Sequence, residues 1–156
     1  KCMEMNRSAD NENRIGFYER EFYVFSNFSS FMVEWKGYVW MTSEHVYHSE
    51  RFINAPEIYQ QIKDARSAHD ALKISHANKE KGRADWQEVK VDIMEEILRA
   101  KVVQHPYVMK KLKDSGTKEL VEDSWRDDFW GWGENQNGQN QLGKLWMKVR
   151  KDIIGS

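Results

Sequence analysis

The stretch DWQEVKVDIMEEILRAKVVQH, residues 85–105, limits the architecture more than any other part of the chain. Trp86, Val89, Ile93, Ile97 and Ala100 recur at intervals of three and four residues, the period of a helix with one apolar face turned to a core. A helix of this length gains most of its stability from packing, so other elements must cover that face. The final segment supplies one candidate: Leu142, Leu145, Val149 and Ile153 share helical spacing from about Asn140 onward. Thr42 or Ser43 offers an N-cap for a helix running to about Asn54. Pro56 and Pro106 each suit a first helical position. Residues near 67–79 predict a further helix, and Lys118–Val121 one more helical turn.

Ahead of these helices the texture changes to short aromatic runs, IGFYEREFYVFSNFSS and FMVEWKGYVW. Alternation at Phe22 and Val24, and at Val33 and Trp35, predicts short strands. A Lys36-Gly37 turn before Tyr38–Trp40 predicts a hairpin. Residues 1–14 are polar and aperiodic, and are expected to be a loose head, with the folded domain at 15–156. The expectation is an α+β fold: a compact, predominantly helical single domain of about five to seven helices with a small N-terminal hairpin region.

Composition narrows the function classes. At 156 residues one domain is expected. A net charge of −1 argues against a broad phosphate-tracking surface, while leaving room for a local basic pocket. Cys2 is the one cysteine, which excludes an internal disulfide and a Cys-based zinc cage and fits a reducing compartment. No run approaches the ~20 apolar residues of a membrane span, and no signal-peptide pattern opens the chain. A cytoplasmic location is expected, or a nuclear one in a eukaryote. Because the first residue is Lys1 rather than Met, the chain is expected to be an excised domain.

Two stretches carry the chemistry. In WMTSEHVYHSERF, residues 40–52, helical geometry puts Glu44, His48 and Arg51 on one face with Tyr47 at its border. His45 and His48 are spaced for one metal ion, but the stretch is not the H-E-x-x-H zinc helix and no further ligand stands at a characteristic spacing. The bland reading is a solvated polar face with Glu44 and His48 paired at i,i+4. The second stretch, SWRDDFWGWGENQNGQN, is too rich in Gly, Asn and Asp to be regular. Its Trp125, Phe129, Trp130 and Trp132 argue against disorder. They form either a stacking surface for a nucleobase or the filling of a core beneath a long loop. Gly138, Asn140 and Gly143 around the start of the last helix offer a weak phosphate motif, and Gly143 within that helix implies a close backbone approach. Serine and cysteine nucleophiles are set aside: there is no G-x-S-x-G elbow, and Cys2 lies in the loose head.

In order and spacing, FYEREFYVFSNF, WMTSEH with Tyr47 and Phe52, RADWQEVKVDIM, AKVVQH, LVED, DDFWGWG and GQNQLGKLWMKVR resemble the NADAR family, which includes YbiA-like N-glycosidases, over roughly residues 15–150. The resemblance implies a mainly helical α+β domain that hydrolyses an N-glycosidic bond between a base-like amine and a phosphorylated ribose. Two activities are associated with the family: removal of ADP-ribose from guanine, and cleavage of phosphoribosylamino pyrimidines of riboflavin synthesis. By motif position, Asn27, Glu44, Trp86, Asp127, Trp130 and Asn140 inherit the site. Glu44 is assigned to activating water and stabilising the sugar cation. Asp127 is assigned to ribose hydroxyls or the leaving group, the two roles being exchangeable. Trp86 and Trp130 are stacking candidates, with Gly131 beside them; Asn27 and Asn140 would read amides, and Arg51 and Lys144 would meet phosphate. No metal or organic cofactor is required. Relatives often continue EHYYQAQKF where this chain has EHVYHSERF, so His48 replaces an amide and Arg51 a lysine. Arginine stays protonated and cannot form a Schiff base with ribose. The expected partner is ADP-ribose or a phosphoribosyl group, on DNA or RNA held through that modification. A non-catalytic nucleotide reader and a helical scaffold are the competing classes.

Overall fold

The computed structural model of the chain describes residues 10–18 and 20–155. Its strands are β1 (Arg14–Gly16), β2 (Val33–Trp35), β3 (Tyr38–Trp40) and β4 (Glu119–Val121). Its α-helices are α1 (Ser43–Arg51), α2 (Pro56–Asp64), α3 (Ala68–Ala77), α4 (Trp86–Gln104), α5 (Pro106–Asp114) and α6 (Gln141–Ile154). The fold is α+β and mostly helical, as expected. Among the described residues no helix is long and apolar enough to cross a membrane. The chain divides into two compact units, Asn27–His105, and Lys1–Ser26 with Pro106–Ser156.

In the unit Asn27–His105, local chemistry sets most of the boundaries. Lys36 and Gly37 take φ of 50° and 84°, the left-handed pair that a two-residue hairpin turn requires. They set Val33 opposite Trp40 and Trp35 opposite Tyr38. Thr42 caps α1 by accepting the His45 N–H, and Ser67 caps α3 by accepting the Asp70 N–H. Pro56 opens α2, where its missing N–H is no loss. The long helix α4 buries Trp86, Ile93, Met94, Ile97, Leu98, Lys101 and Val102, while Val89 and Ala100 are half-buried. The expected stripe has the right phase and is too narrow, because α4 packs against both α1 and β2.

Helix α1 departs furthest from the solvated face expected of it. Ser43 through Glu50 are all buried, because α2, α3 and α4 each pack against this one helix. Its polar side chains therefore have to find partners inside the protein.

In the other unit, β1 and β4 pair in parallel, Ile15 beside Leu120. The helical turn expected at Lys118–Val121 is thus strand β4, since Leu120 and Val121 are buried and their backbone pairs with β1. The strand expected at Phe22 and Val24 is a 3₁₀ helix, Arg20–Phe25. That geometry eclipses residues three apart. It stacks Phe22 on Phe25 at 6.0 Å and buries Phe25 between Phe17 and Trp146. Residues 122–140 carry no regular element. Of the expected head, residues 1–9, Cys2 included, lie outside the described residues. Asp10 accepts the Gly16 N–H at 2.7 Å.

Candidate active site

Glu44 stands in the first turn of α1, 7% exposed, with its N–H donating to the Asn27 carbonyl at 3.1 Å. One turn on, His48 is 3% exposed, and its Nε2 lies 2.7 Å from Glu44 Oε2. The i,i+4 pairing read from the sequence is present, but inside the protein. Among the described residues Nδ1 of His48 is buried with no hydrogen-bond partner. Asn27, also buried, accepts the Ser43 hydroxyl at 3.1 Å through its side-chain oxygen and reaches Met94 Sδ at 3.3 Å through its amide nitrogen. It therefore fixes the N-terminal end of α1.

Two further residues extend this face. Tyr47 packs its ring on Trp86 at 4.9 Å and against His48 at 5.1 Å. Arg51 lies over the Trp86 ring at 6.0 Å and donates to Ser75 Oγ at 3.4 Å, while its buried Nε has no hydrogen-bond partner among the described residues. A Cβ at Gly82 would stand 3.0 Å from that Nε, a contact tight enough that the guanidinium would have to give by a few tenths of an ångström. Burial disfavours the Arg51 charge, and among the described residues it forms no ion pair. His76, on α3, is pushed toward its neutral form by burial first, then by the nearby charges of Lys79 and Arg51. The structure thus brings Asn27, Glu44, Arg51 and Trp86 together, and adds His48, Tyr47, Ser75, His76 and Gly82.

His45 has a different task. Its Nε2 donates to the Ala65 carbonyl at 3.0 Å and its Nδ1 meets the Thr42 hydroxyl at 2.7 Å. Burial holds it toward the neutral form. The side chains of His45 and His48 have separate partners, and among the described residues no three His, Cys, Asp or Glu groups are arranged to hold a metal ion.

Asp127, Trp130, Gly131, Asn140 and Lys144 belong to the other unit. Asp127 Oδ1 accepts the N–H groups of Phe129 and Trp130 at 2.9 and 2.8 Å, which folds the loop back at its aromatic segment. Trp130 is half-buried, edge-on to Phe129 at 4.9 Å. Gly131 is buried, and a Cβ there would lie 2.8 Å from the Asp127 carbonyl oxygen. Asn140, at φ 51°, accepts the Glu122 N–H at 2.9 Å and donates to the Leu120 carbonyl at 3.0 Å. Its amide holds the loop to β4, where an amide reader was expected. Lys144 is exposed.

The phosphate cradle expected at the start of the last helix is closed. The N–H groups of Asn140, Gln141 and Leu142 donate to the carbonyls of Gly131, Phe129 and Trp130 at 2.9, 3.0 and 3.1 Å. The Trp-rich loop itself satisfies the donors that a helix leaves open. The close approach expected at Gly143 is real, and it is to the Leu120 carbonyl of β4.

One buried group escaped the sequence reading. Lys101 Nζ is fully buried on α4, donates to Ser29 Oγ at 3.0 Å, and lies 5.4 Å from the Phe31 ring centre. Its place three residues after Leu98 on the apolar stripe was the available signal. Burial pushes this amine down from 10.5 to about 7. Between those values the unfolded chain binds the proton more readily, so stability rises with pH across that window. Below about 7 the penalty for burying the cation is fully present. In urea titrations from pH 7 to 9.5, the parent should gain on Lys101→Met by up to about 1.4 kcal/mol per pH unit. Parallel stability profiles would show that Lys101 is not desolvated in this way.

Residues 16–154 match the NADAR domain. The chain belongs to the NADAR family. This NADAR chain is 35% identical over 131 residues to N-glycosidase Npun_R5314 of Nostoc punctiforme, covering 83% of this chain and 84% of that protein. It is 34% identical over 161 residues to the chloroplastic riboflavin biosynthesis protein PYRR of maize, covering 92% of this chain and 26% of that protein. It therefore spans about a quarter of the maize protein's length. The NMR structure of Escherichia coli YbiA matches with a TM-score of 0.83 at 29% identity, covering 95% of this chain and 89% of that one.

Proposed function

We propose that this NADAR domain hydrolyses the N-glycosyl bond between a base-type amine and a phosphorylated ribose, and that its substrate is guanine carrying ADP-ribose on nucleic acid. Similarity to the N-glycosidases of Nostoc punctiforme and Escherichia coli supports hydrolase activity on N-glycosyl bonds. The observation that carries the reading is the buried Glu44–His48 pair, on one helix face with Arg51 and beside the Tyr47 and Trp86 rings.

Breaking a ribosyl C–N bond builds positive charge on the sugar. A carboxylate next to C1 stabilises that charge and takes a proton from the attacking water. The water oxygen bonds to C1, and the C–N electron pair leaves with the amine, which takes up a proton. Glu44 fills the carboxylate role. Arg51, which forms no ion pair among the described residues, takes a phosphate, and Trp86, buried against Tyr47, backs that face from within rather than stacking on the substrate. Asp127 is proposed to shape the Trp-rich loop of its own unit by accepting the Phe129 and Trp130 N–H groups. With a net charge of −1, nucleic acid would be held by its modification rather than by its backbone.

A second reading has its own support. The maize relative and one from Vibrio vulnificus, matched over 92% and 94% of this chain, are named as riboflavin biosynthesis proteins. Under this reading the substrate is a phosphoribosylamino pyrimidine. The test is parallel incubation with an oligonucleotide bearing ADP-ribosyl guanine and with that pyrimidine, alongside a binding titration with free ADP-ribose. Cleavage of the oligonucleotide, with ADP-ribose inhibiting as a product and only shallow salt dependence, is the expected result. No binding of ADP-ribose at millimolar concentration beside clear cleavage of the pyrimidine would reverse the ranking. Binding of ADP-ribose without cleavage of either substrate would make the chain a reader.

A further inference from the structure

We propose that His48 is a positioning residue for Glu44, and that the pair rather than the carboxylate alone sets how the rate responds to pH. This rests on the N-glycosidase reading of Glu44. A carboxylate only accepts hydrogen bonds, so Nε2 of His48 donates to Glu44 Oε2 across 2.7 Å. The neutral ring then carries its lone pair on Nδ1, which is buried and has no hydrogen-bond partner among the described residues.

Charged and titratable groups lie on α1 and on elements packed against it, Asp70 of α3 acting on His45 among them. Helix α1 itself carries Glu44, His45, Glu50 and Arg51; α3 brings His76, which interacts electrostatically with His48, Arg51 and Glu44. The buried face of α4 carries Lys101, held on Ser29. The hairpin reaches Glu50 through Lys36 at 3.0 Å, and α2 turns Ile58 and Ile62 inward. Among these, only His48 is hydrogen-bonded to the Glu44 carboxylate in the structure. Its donor fixes one carboxylate oxygen and so aims the other. As pH falls, a proton on Nδ1 turns this neutral donor into a cation, and a carboxylate paired with a cation is a poorer base for water. Turnover therefore needs the uncharged ring.

The experiment measures kcat and KM across pH for the parent, His48→Ala and His48→Gln, with whichever N-glycosyl substrate the parent cleaves. For His48→Ala, kcat should fall about 10- to 100-fold with KM little changed, since a misaimed catalytic group loses rate rather than binding. His48→Gln keeps a side-chain N–H donor and should recover most of that loss. Its acid limb should lie at lower pH than the parent's, because an amide does not titrate. Parental kcat in His48→Ala, or an unchanged acid limb in His48→Gln, would overturn the proposal. Long-range ¹⁵N–¹H spectra of the imidazoles in the intact chain give a second readout that needs no turnover. They should show His48 as an Nε2–H ring whose titration moves in Glu44→Gln. A parent inactive on both substrates would refute the N-glycosidase reading while these spectra still decide the pair. An Nδ1–H ring, or a titration indifferent to Glu44→Gln, would overturn it.

Discussion

Glu44→Gln is expected to leave the chain folded and to lower turnover by about 100-fold or more. The exchange is nearly isosteric, and the side-chain oxygen of glutamine can still accept from His48 Nε2, so the buried contact survives in kind. What disappears is the negative charge. The stability change should stay within about 2 kcal/mol, the most that one charge contributes at a partly buried helix N-terminus. The rate depends on the charge far more steeply, since charge on the sugar develops only in the transition state. Steady-state kinetics beside a thermal melt separate the two effects. Activity within a few-fold of the parent would remove Glu44 from the mechanism.

Gly143→Ala is expected to destabilise the protein by about 3 kcal/mol. In an exposed helix the same change stabilises by roughly 1 kcal/mol, because alanine is the better helix former. Here the sign reverses. A Cβ at Gly143 would collide with the Leu120 carbonyl oxygen and stand 2.5 Å from the amide oxygen and nitrogen of Asn140. The carbonyl belongs to β4, and the amide is itself bonded to Glu122 and Leu120. Neither neighbour is the loose end of a flexible side chain, so α6 or β4 has to shift. Urea unfolding of the two proteins measures the difference, and a variant as stable as the parent would contradict this packing.

Much of the fold was legible because local chemistry determines it. Thr42, Ser67, Pro56 and Pro106 mark helix starts wherever they occur next to an apolar period, and Lys36-Gly37 demands its turn. Strand β4 was not legible. Three residues carry no period of their own, and their partner Ile15 lies far earlier in the chain. The 3₁₀ helix at Arg20–Phe25 was hidden for a related reason, since Phe22 and Val24 two residues apart imitate the alternation of a strand.

The candidate site divides the same way. Glu44, His48 and Arg51 share a face by arithmetic, and the structure keeps them there. Their burial was invisible, because it is imposed by three helices whose packing the sequence of α1 does not encode. The N–H groups at the start of α6 looked available because a sequence does not show a loop returning its own carbonyls to them. Gly82 reads as a turn residue until the Arg51 side chain is found against it.

In the proposed reaction this chain breaks an N-glycosyl bond with Glu44 as its carboxylate. The most direct measurement follows, by mass spectrometry, an oligonucleotide bearing one ADP-ribosyl guanine, incubated with the parent and with Glu44→Gln; the phosphoribosylamino pyrimidine is treated in parallel. The account predicts release of ADP-ribose from an intact strand by the parent, with the guanine restored, and almost none by the variant. Both substrates left whole by a folded parent, or equal release by parent and variant, would contradict it.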